Sequence, residues 1–349
     1  MNTTTENLSV EAKTFYDKTL IKRALPNLVF YKFGQKKSMK NRSGKFISFR
    51  KFASLEPAIT PLTEGVTPKG KELSVSEITV GVKQYGDYIE TTDIVDTVGI
   101  DPVVTESAEL CGEQAGLTTD NLIRDVVCKG TNVLYVGNRT NTESITSSDK
   151  LTSDAVARAV AILKRRNIKP FEGGYYIGII DPETSYDLQN DKLWQEVSKY
   201  NNGGKNIIEG EVGKINKTRF VETTETLVKN GEIESYVATE DETYDSTKTY
   251  YTKSGENYSK ATITEFASGT TYYEAIYRQV HCVMIIGRDA YGVVDIEGSA
   301  KPEIIVKGLG SSGTADPLNQ RATVGWKELF GTARINEEAM VRIECATTL

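Results

Sequence analysis

The stretch from Asp316 to Ile335, DPLNQRATVGWKELFGTARI, lies in the last tenth of a 349-residue chain and holds Trp326, one of its two tryptophans. From Arg321 onward it reads as a strand, and Gly325 and Gly331 leave room for another backbone to come close. A glycine cluster, GLGSSG, precedes it from Gly308 to Gly313 and follows the strand-like PEIIVKG. The cluster matches GxGxxG, but a dinucleotide site needs a helix to open there, so that its N-terminus receives the pyrophosphate. Pro317 and a β-branched run follow instead, and no strand-helix-strand unit surrounds the motif. The glycines therefore read as a loop, and Trp326 as part of a late strand.

Upstream, the chain is mixed. IDPVVTESAELCGEQAGLTTDNLIRDVVCKG predicts one long helix over about 101–129. Asp101 is its cap, Pro102 suits its first turn, and Gly130 stops it. Val104, Ala108, Cys111, Ala115, Leu122 and Val126 recur at roughly helical spacing, and the small residues Cys111, Gly112, Ala115 and Gly116 invite close packing. SDAVARAVAILKRRN is an amphipathic helix with Val156, Ala159, Val160 and Leu163 on one face. GYYIGIID, KTRFVETT and YRQVHCVMIIG read as strands, and PETSYDLQND and KLWQEVSKY as short helices. Nearer the N-terminus, KFISFRKF and SVSEITVGVKQYGDYIE read as strands flanking a Pro/Gly-rich excursion, ASLEPAITPLTEGVTPKGKEL. Long loops of this kind are functional or reach toward a partner. A short helix is expected at SVEAKTFYDKTLIKRAL in an otherwise extended N-terminal arm, residues 1–45.

Residues 228–275 interrupt the α+β body. NGEIESYVATEDETYD carries six carboxylates and no base. YDSTKTYY (Tyr244–Tyr251) recurs as FASGTTYY (Phe266–Tyr273), which predicts a small β meander with tyrosines at its turns. The tyrosines either pack that unit together or bind a ligand.

Charge is unevenly spread. Eleven of the 42 basic residues fall between Lys18 and Leu55, where no acidic residue occurs, which leaves 31 basic against 48 acidic residues elsewhere. A basic arm on an acidic body suits contact with an acidic neighbour or with nucleic acid, or is a solvated face. No apolar run approaches the ~20 residues that span a bilayer, and the N-terminus lacks a secretory pattern, so a cytosolic chain is expected. The four scattered cysteines read as free buried thiols.

The search for chemistry finds no catalytic set. His281, the sole histidine, lies on an apolar strand and reads as a core residue, and Cys282 beside it points to the opposite face. Asp93 and Asp96 read as caps or surface charges. No P-loop, HExxH or GxSxG motif occurs. No cofactor, metal or enzymatic activity is expected.

Four stretches taken in order resemble the tailed-bacteriophage major capsid proteins of the HK97-like fold, and most of all the branch typified by the coliphage N-four capsid protein. They are ALPNLVFYKFGQKKSMKNRSGKFISFRKF, PLTEGVTPKGKELSVSEITVGVKQYGDYIETTDI, GEQAGLTTDNLIRDVVCKGTNVLY and ADPLNQRATVGWKELFGTARINEEAMVRIE. The resemblance implies an N-terminal arm at 1–45 and an extended loop (E-loop) with flanking strands at 46–92. It implies a peripheral domain at 93–150 and 298–349, with the long helix as its spine, and an axial domain at 151–297. The 228–275 insertion has no counterpart. Trp326 is then expected to pack between the peripheral sheet and the spine helix.

The implied function is self-assembly, as hexamers and pentamers, into the icosahedral shell that encloses double-stranded DNA. Lys36, Lys37, Lys40, Arg42, Lys45, Glu64, Lys69 and Lys71 are the expected intersubunit contacts. Expected partners are further copies of the chain, a portal, possible scaffold or decoration proteins, and DNA held non-specifically, with no membrane. Assembly would take place in the host bacterial cytoplasm. The competing reading is a binding protein whose tyrosine-rich insertion recognises a ligand; such a protein would stay monomeric or form a small oligomer.

Overall fold

A computed structural model describes residues 29–40, 42, 44–53, 55–62, 64–67, 69–98, 103–200, 211–239, 245, 248–254, 257–261, 270–296, 303–311 and 316–348. The predicted arm helix, Asp101 and Pro102 lie outside these residues. The described strands form a five-stranded sheet, a nine-stranded sheet and a two-stranded hairpin. In chain order they are β1 (Gln35–Met39), β2 (Phe46–Phe52), β3 (Val75–Gly81), β4 (Lys83–Thr92), β5 (Val133–Tyr135), β6 (Tyr176–Ile180), β7 (Glu211–Ile215) and β8 (Thr218–Glu222). Then follow β9 (Leu227–Ala238), β10 (Tyr250–Ser254), β11 (Asn257–Lys260), β12 (Tyr272–Ile286), β13 (Tyr291–Ile296), β14 (Glu303–Lys307), β15 (Arg321–Arg334) and β16 (Met340–Cys345). The helices are α1 (Phe30–Phe33), α2 (Asp93–Val98), α3 (Val103–Cys128), α4 (Ser153–Arg165), α5 (Pro182–Gln189) and α6 (Lys192–Tyr200).

The opening stretch is the hub of the five-stranded sheet. Asp316 accepts the backbone N–H of Arg321 and closes the turn into β15. β15 then alternates, burying Ala322, Val324, Trp326, Glu328 and Phe330, the period-two pattern of a sheet with one covered face. It pairs antiparallel with β4 (Val324 opposite Ile89), β14 (Trp326 opposite Ile304) and β13 (Val293 opposite Thr332). A Cβ on Gly86 would stand 2.5 Å from the Trp326 carbonyl oxygen, and one on Gly325 2.7 Å from Tyr88 Cβ, so both sites require glycine. α3 covers this face. Cys111 and Ala115 pack against Val324 and Trp326, the indole N–H donates to Gln114 Oε1 at 2.9 Å, and Thr119 donates to Glu328. The buried stripe of α3 continues through Thr119, Ile123 and Val127. The expected positions Leu122 and Val126 are only half-buried, because Val29 and Phe30, distant in sequence, settle beside Ile123 and Val127.

The nine-stranded sheet runs β11-β10-β12-β6-β8-β7, with β9 and β16 also paired to β12, and β5 to β16. α4 is capped by Thr152 and buries Val156, Ala159, Val160 and Leu163 against Tyr176, Ile180, Phe220, Ile285 and Ile343. The two sheets are joined at the end of α3. Arg342 on β16 donates to the carbonyls of Cys128 and Gly130, which lie where the helix has run out of N–H partners. The same guanidinium meets Glu344, a fully buried carboxylate that also holds Lys229 at 2.6 Å and Thr142 at 2.6 Å.

Several boundaries differ from expectation. β13, expected in the axial domain, pairs with β15 and β1 in the five-stranded sheet. β5 and β16, expected in the peripheral domain, belong to the nine-stranded sheet. The chain crosses between the sheets in the short turn after β12, where Asp289 has a positive φ of 60°, and a turn this brief carries no compositional signature. Among the described residues, the insertion continues the sheet of the body. β9 and β12 run continuously out of the body, paired from Leu227–Cys282 to Ala238–Tyr273. The repeated Tyr-Tyr pairs lie within strands, not at turns: Tyr251 of β10 faces Tyr273 of β12. Tyrosine alternates well with the pleat there because one ring of each pair can face each side.

Candidate assembly surfaces

Part of the expected arm is anchored on its own chain. Val29 and Phe30 are buried, Asp120 accepts the backbone N–H of Val29 (3.3 Å) and Tyr31 (2.9 Å), and the Tyr291 hydroxyl donates to the Phe30 carbonyl. Burial raises the Asp120 pKa, although the backbone N–H groups of Tyr31, Phe30 and Val29 act against it. β1 then adds in parallel to β13. The sequence hides this docking because VF and the isolated Asp120 lie about ninety positions apart.

The expected contact residues do not gather into one site. Lys36 stands 4.3 Å from the ring centre of Tyr31, and Lys37 donates to the Ser48 carbonyl at 2.6 Å while lying over Phe49. Both are thus engaged within the chain, though exposed. Lys40, Arg42 and Lys45 are exposed at the β1–β2 turn, where Arg42 adopts a positive φ of 67°, and form no ion pair among the described residues. Lys71 reaches back to the Glu56 carbonyl at 3.1 Å, and Glu64 and Lys69 are exposed along the same excursion. Trp326 is 5% exposed, in the setting described above.

What residue-by-residue reading did not single out is the apolar character of that excursion. β2 and β3 form a regular hairpin from Phe46–Gly81 to Phe52–Val75. Between them residues 53–74 carry Leu55, Ile59, Leu62, Val66 and Leu73 into solvent, with Ile59 88% and Leu62 78% exposed. Past Phe49 and Val80, which pack on Met39 and Val294, the ribbon has no second layer with which to bury such side chains, and clustered exposed apolar groups mark a contact surface. The signal was present as five aliphatic residues in a proline-rich stretch, without a period to assign them a face.

The tyrosines of the long strands are occupied with one another. Tyr236 stacks on Tyr258 with ring centres 4.0 Å apart, Tyr251 meets Tyr236 edge-on, and the Tyr251 and Tyr277 hydroxyls are 3.2 Å apart. Tyr250 and Tyr272 are buried on the opposite face. They form the small core that lets the sheet extend beyond the body.

The GLGSSG cluster begins as a turn at Gly308–Ser311, and the next described element is β15, not a helix. His281 is buried, with Nδ1 2.7 Å from Asp181 Oδ2. No helix among the described residues is long and apolar enough to cross a membrane.

No protein-family model and no curated protein matches the chain. Solved structures do. The capsid of Ralstonia phage GP4 superposes with a TM-score of 0.65 at 14% identity, covering 90% of this chain and 87% of that one. The acid-stable capsid of Helicobacter pylori bacteriophage KHP30 gives 0.61 at 12% identity over 99% of both chains. The capsid of cyanophage P-SCSP1u gives 0.60 at 14%, over 97% and 95%. At such identities the likeness is one of fold: the chain has the α+β, HK97-like architecture of these proteins over nearly its whole length.

Proposed function

We propose that the chain is a major capsid protein of a tailed bacteriophage, whose copies assemble as hexamers and pentamers into a shell around double-stranded DNA. The exposed apolar excursion between β2 and β3 carries this reading. In a fold shared end to end with capsid subunits, such a surface suits burial against an adjacent copy. Burial of apolar area contributes about 25 cal/mol per Å², and a closed lattice repeats each contact many times.

Within this reading Lys40, Arg42, Lys45, Lys69 and Glu64 are the charged contacts that orient the excursion on its neighbour. Complementary charge of this kind sets register and association rate more than affinity. Lys36, Lys37 and Lys71 act first by shaping their own strand and loop. The acidic extension of β9 and β12 faces outward, since packaged DNA would repel it. The finer kinship with the coliphage N-four branch, and contacts with portal, scaffold or decoration proteins and DNA, belong to the same proposal.

Electron microscopy of the purified protein, alone and co-expressed with neighbouring virion proteins, tests it. Rings, tubes or shells of hexamers are expected, and Ile59→Asp with Leu62→Asp should leave a folded, unassembled subunit. A wild-type chain that stays monomeric under both conditions would overturn the reading.

A further inference from the structure

We infer that His281, Glu183 and Asp181 form a binding site for a divalent transition ion of the zinc type, with His281 and Glu183 as ligands and Asp181 holding the imidazole in place. His281 lies in mid-sheet on β12, 3% exposed and flanked by Val228 and Cys345 of the neighbouring strands. Asp181 is the residue before α5 and is 5% exposed. Its side chain does not cap that helix; one oxygen takes Nδ1 of His281 at 2.7 Å and the other accepts from Thr184. This directs Nδ1–H toward a carboxylate and leaves Nε2 as the free nitrogen, the second-shell arrangement that orients metal-binding histidines.

Nε2 is buried and has no hydrogen-bond partner among the described residues. Its charged neighbour is Glu183 Oε2, 3.3 Å away. A lone pair facing a carboxylate needs a positive charge between them, either a proton or a metal ion. A proton would draw the atoms into a straight contact of about 2.7–2.9 Å. Instead the two atoms stand 3.3 Å apart and form no hydrogen bond. A tetrahedral zinc ion with nitrogen and oxygen ligands at about 2.0–2.1 Å holds them about 3.3 Å apart. One imidazole with one carboxylate favours zinc over calcium or magnesium, which take oxygen ligands. The Thr347 hydroxyl lies 3.1 Å from the same Glu183 oxygen, and the Glu183 side chain is 40% exposed, so water has a route to the remaining positions. Bound there, the ion would tie β12 to the first turn of α5.

The test is titration of the full-length protein, previously stripped with chelator, with Zn2+ by calorimetry and with Co2+ by visible absorption. One ion per chain and tetrahedral Co2+ bands are expected. His281 is the sole histidine, so an imidazole ligand can come from nowhere else. Glu183→Gln, on a half-exposed side chain, should abolish tight binding while leaving the chain folded, as judged by circular dichroism. Asp181→Asn should weaken binding about 10–100-fold. No binding by the wild type would overturn the inference and leave a protonated histidine between two carboxylates. Equal binding by wild type and Glu183→Gln would overturn it too, showing surface carboxylates at work.

Discussion

Trp326, Glu344 and the cysteines show how single side chains hold this fold together. Trp326→Ala removes a large ring between β15 and α3 and should cost about 3–5 kcal/mol, read as a lowered midpoint in chemical denaturation. Trp326→Phe keeps most of the packing and loses only the hydrogen bond to the exposed Gln114, at a cost of about 1 kcal/mol. Burial raises the pKa of Glu344, but Lys229, Thr142 and Arg342 outweigh it and hold the carboxylate below the ordinary glutamate value of 4.5. A depressed pKa contributes stability that is present above that value and lost as pH falls through the folded one. Glu344→Gln should therefore cost about 3–5 kcal/mol near neutral pH, with the gap to wild type closing below pH 4.5 in unfolding curves recorded across pH. Burial pushes the thiols of Cys128 and Cys282 up to about 12 and raises those of Cys111 and Cys345. All four free cysteines should resist alkylation in the folded protein and react together in denaturant, counted by mass spectrometry.

Among elements, the long strands β9 and β12 change what can be removed. Cutting out 228–275, the boundary suggested by composition, would strip β12 of its partner along the body. The pairing of Ala238 with Tyr273 and the hydrogen bond from Thr239 N–H to the Tyr272 carbonyl place a natural hairpin end there. Replacing 240–271 by Asn-Gly, the preferred two-residue turn, should leave a folded chain that assembles into particles of normal size by electron microscopy. Loss of particles from a folded variant would make the extension part of the lattice. The helices α3 and α4 were legible because their small or apolar residues recur near every fourth position; what α3 packs against at Ile123 was not, since it comes from Val29 and Phe30.

For the whole molecule, the uneven charge predicts a salt response. Reversing Lys40, Arg42 and Lys45 to Glu should slow assembly most at low ionic strength, where exposed charges are least screened, measured by light scattering. Because Lys36 and Lys37 contact Tyr31, Ser48 and Phe49 in their own chain, reversing them should also lower subunit stability. Assembly of the triple variant at the wild-type rate at every salt concentration would remove these residues from the interface.

The sequence by itself determined the elements and the class. Periodicities of two and near four, the caps and the glycine turns depend on neighbours within a few positions, and a search along the chain reaches them. It also carried the order of segments, from basic arm through Pro-rich loop, long helix and late tryptophan strand, that resembles capsid subunits. Only the tertiary structure decided which sheet received β5, β13 and β16, that Val29 and Phe30 dock on Asp120 and Tyr291, that the insertion continues the body sheet, and that His281 faces Glu183. Each of these depends on contacts between residues far apart in the chain, where the gain lies in burial and pairing that no local pattern records.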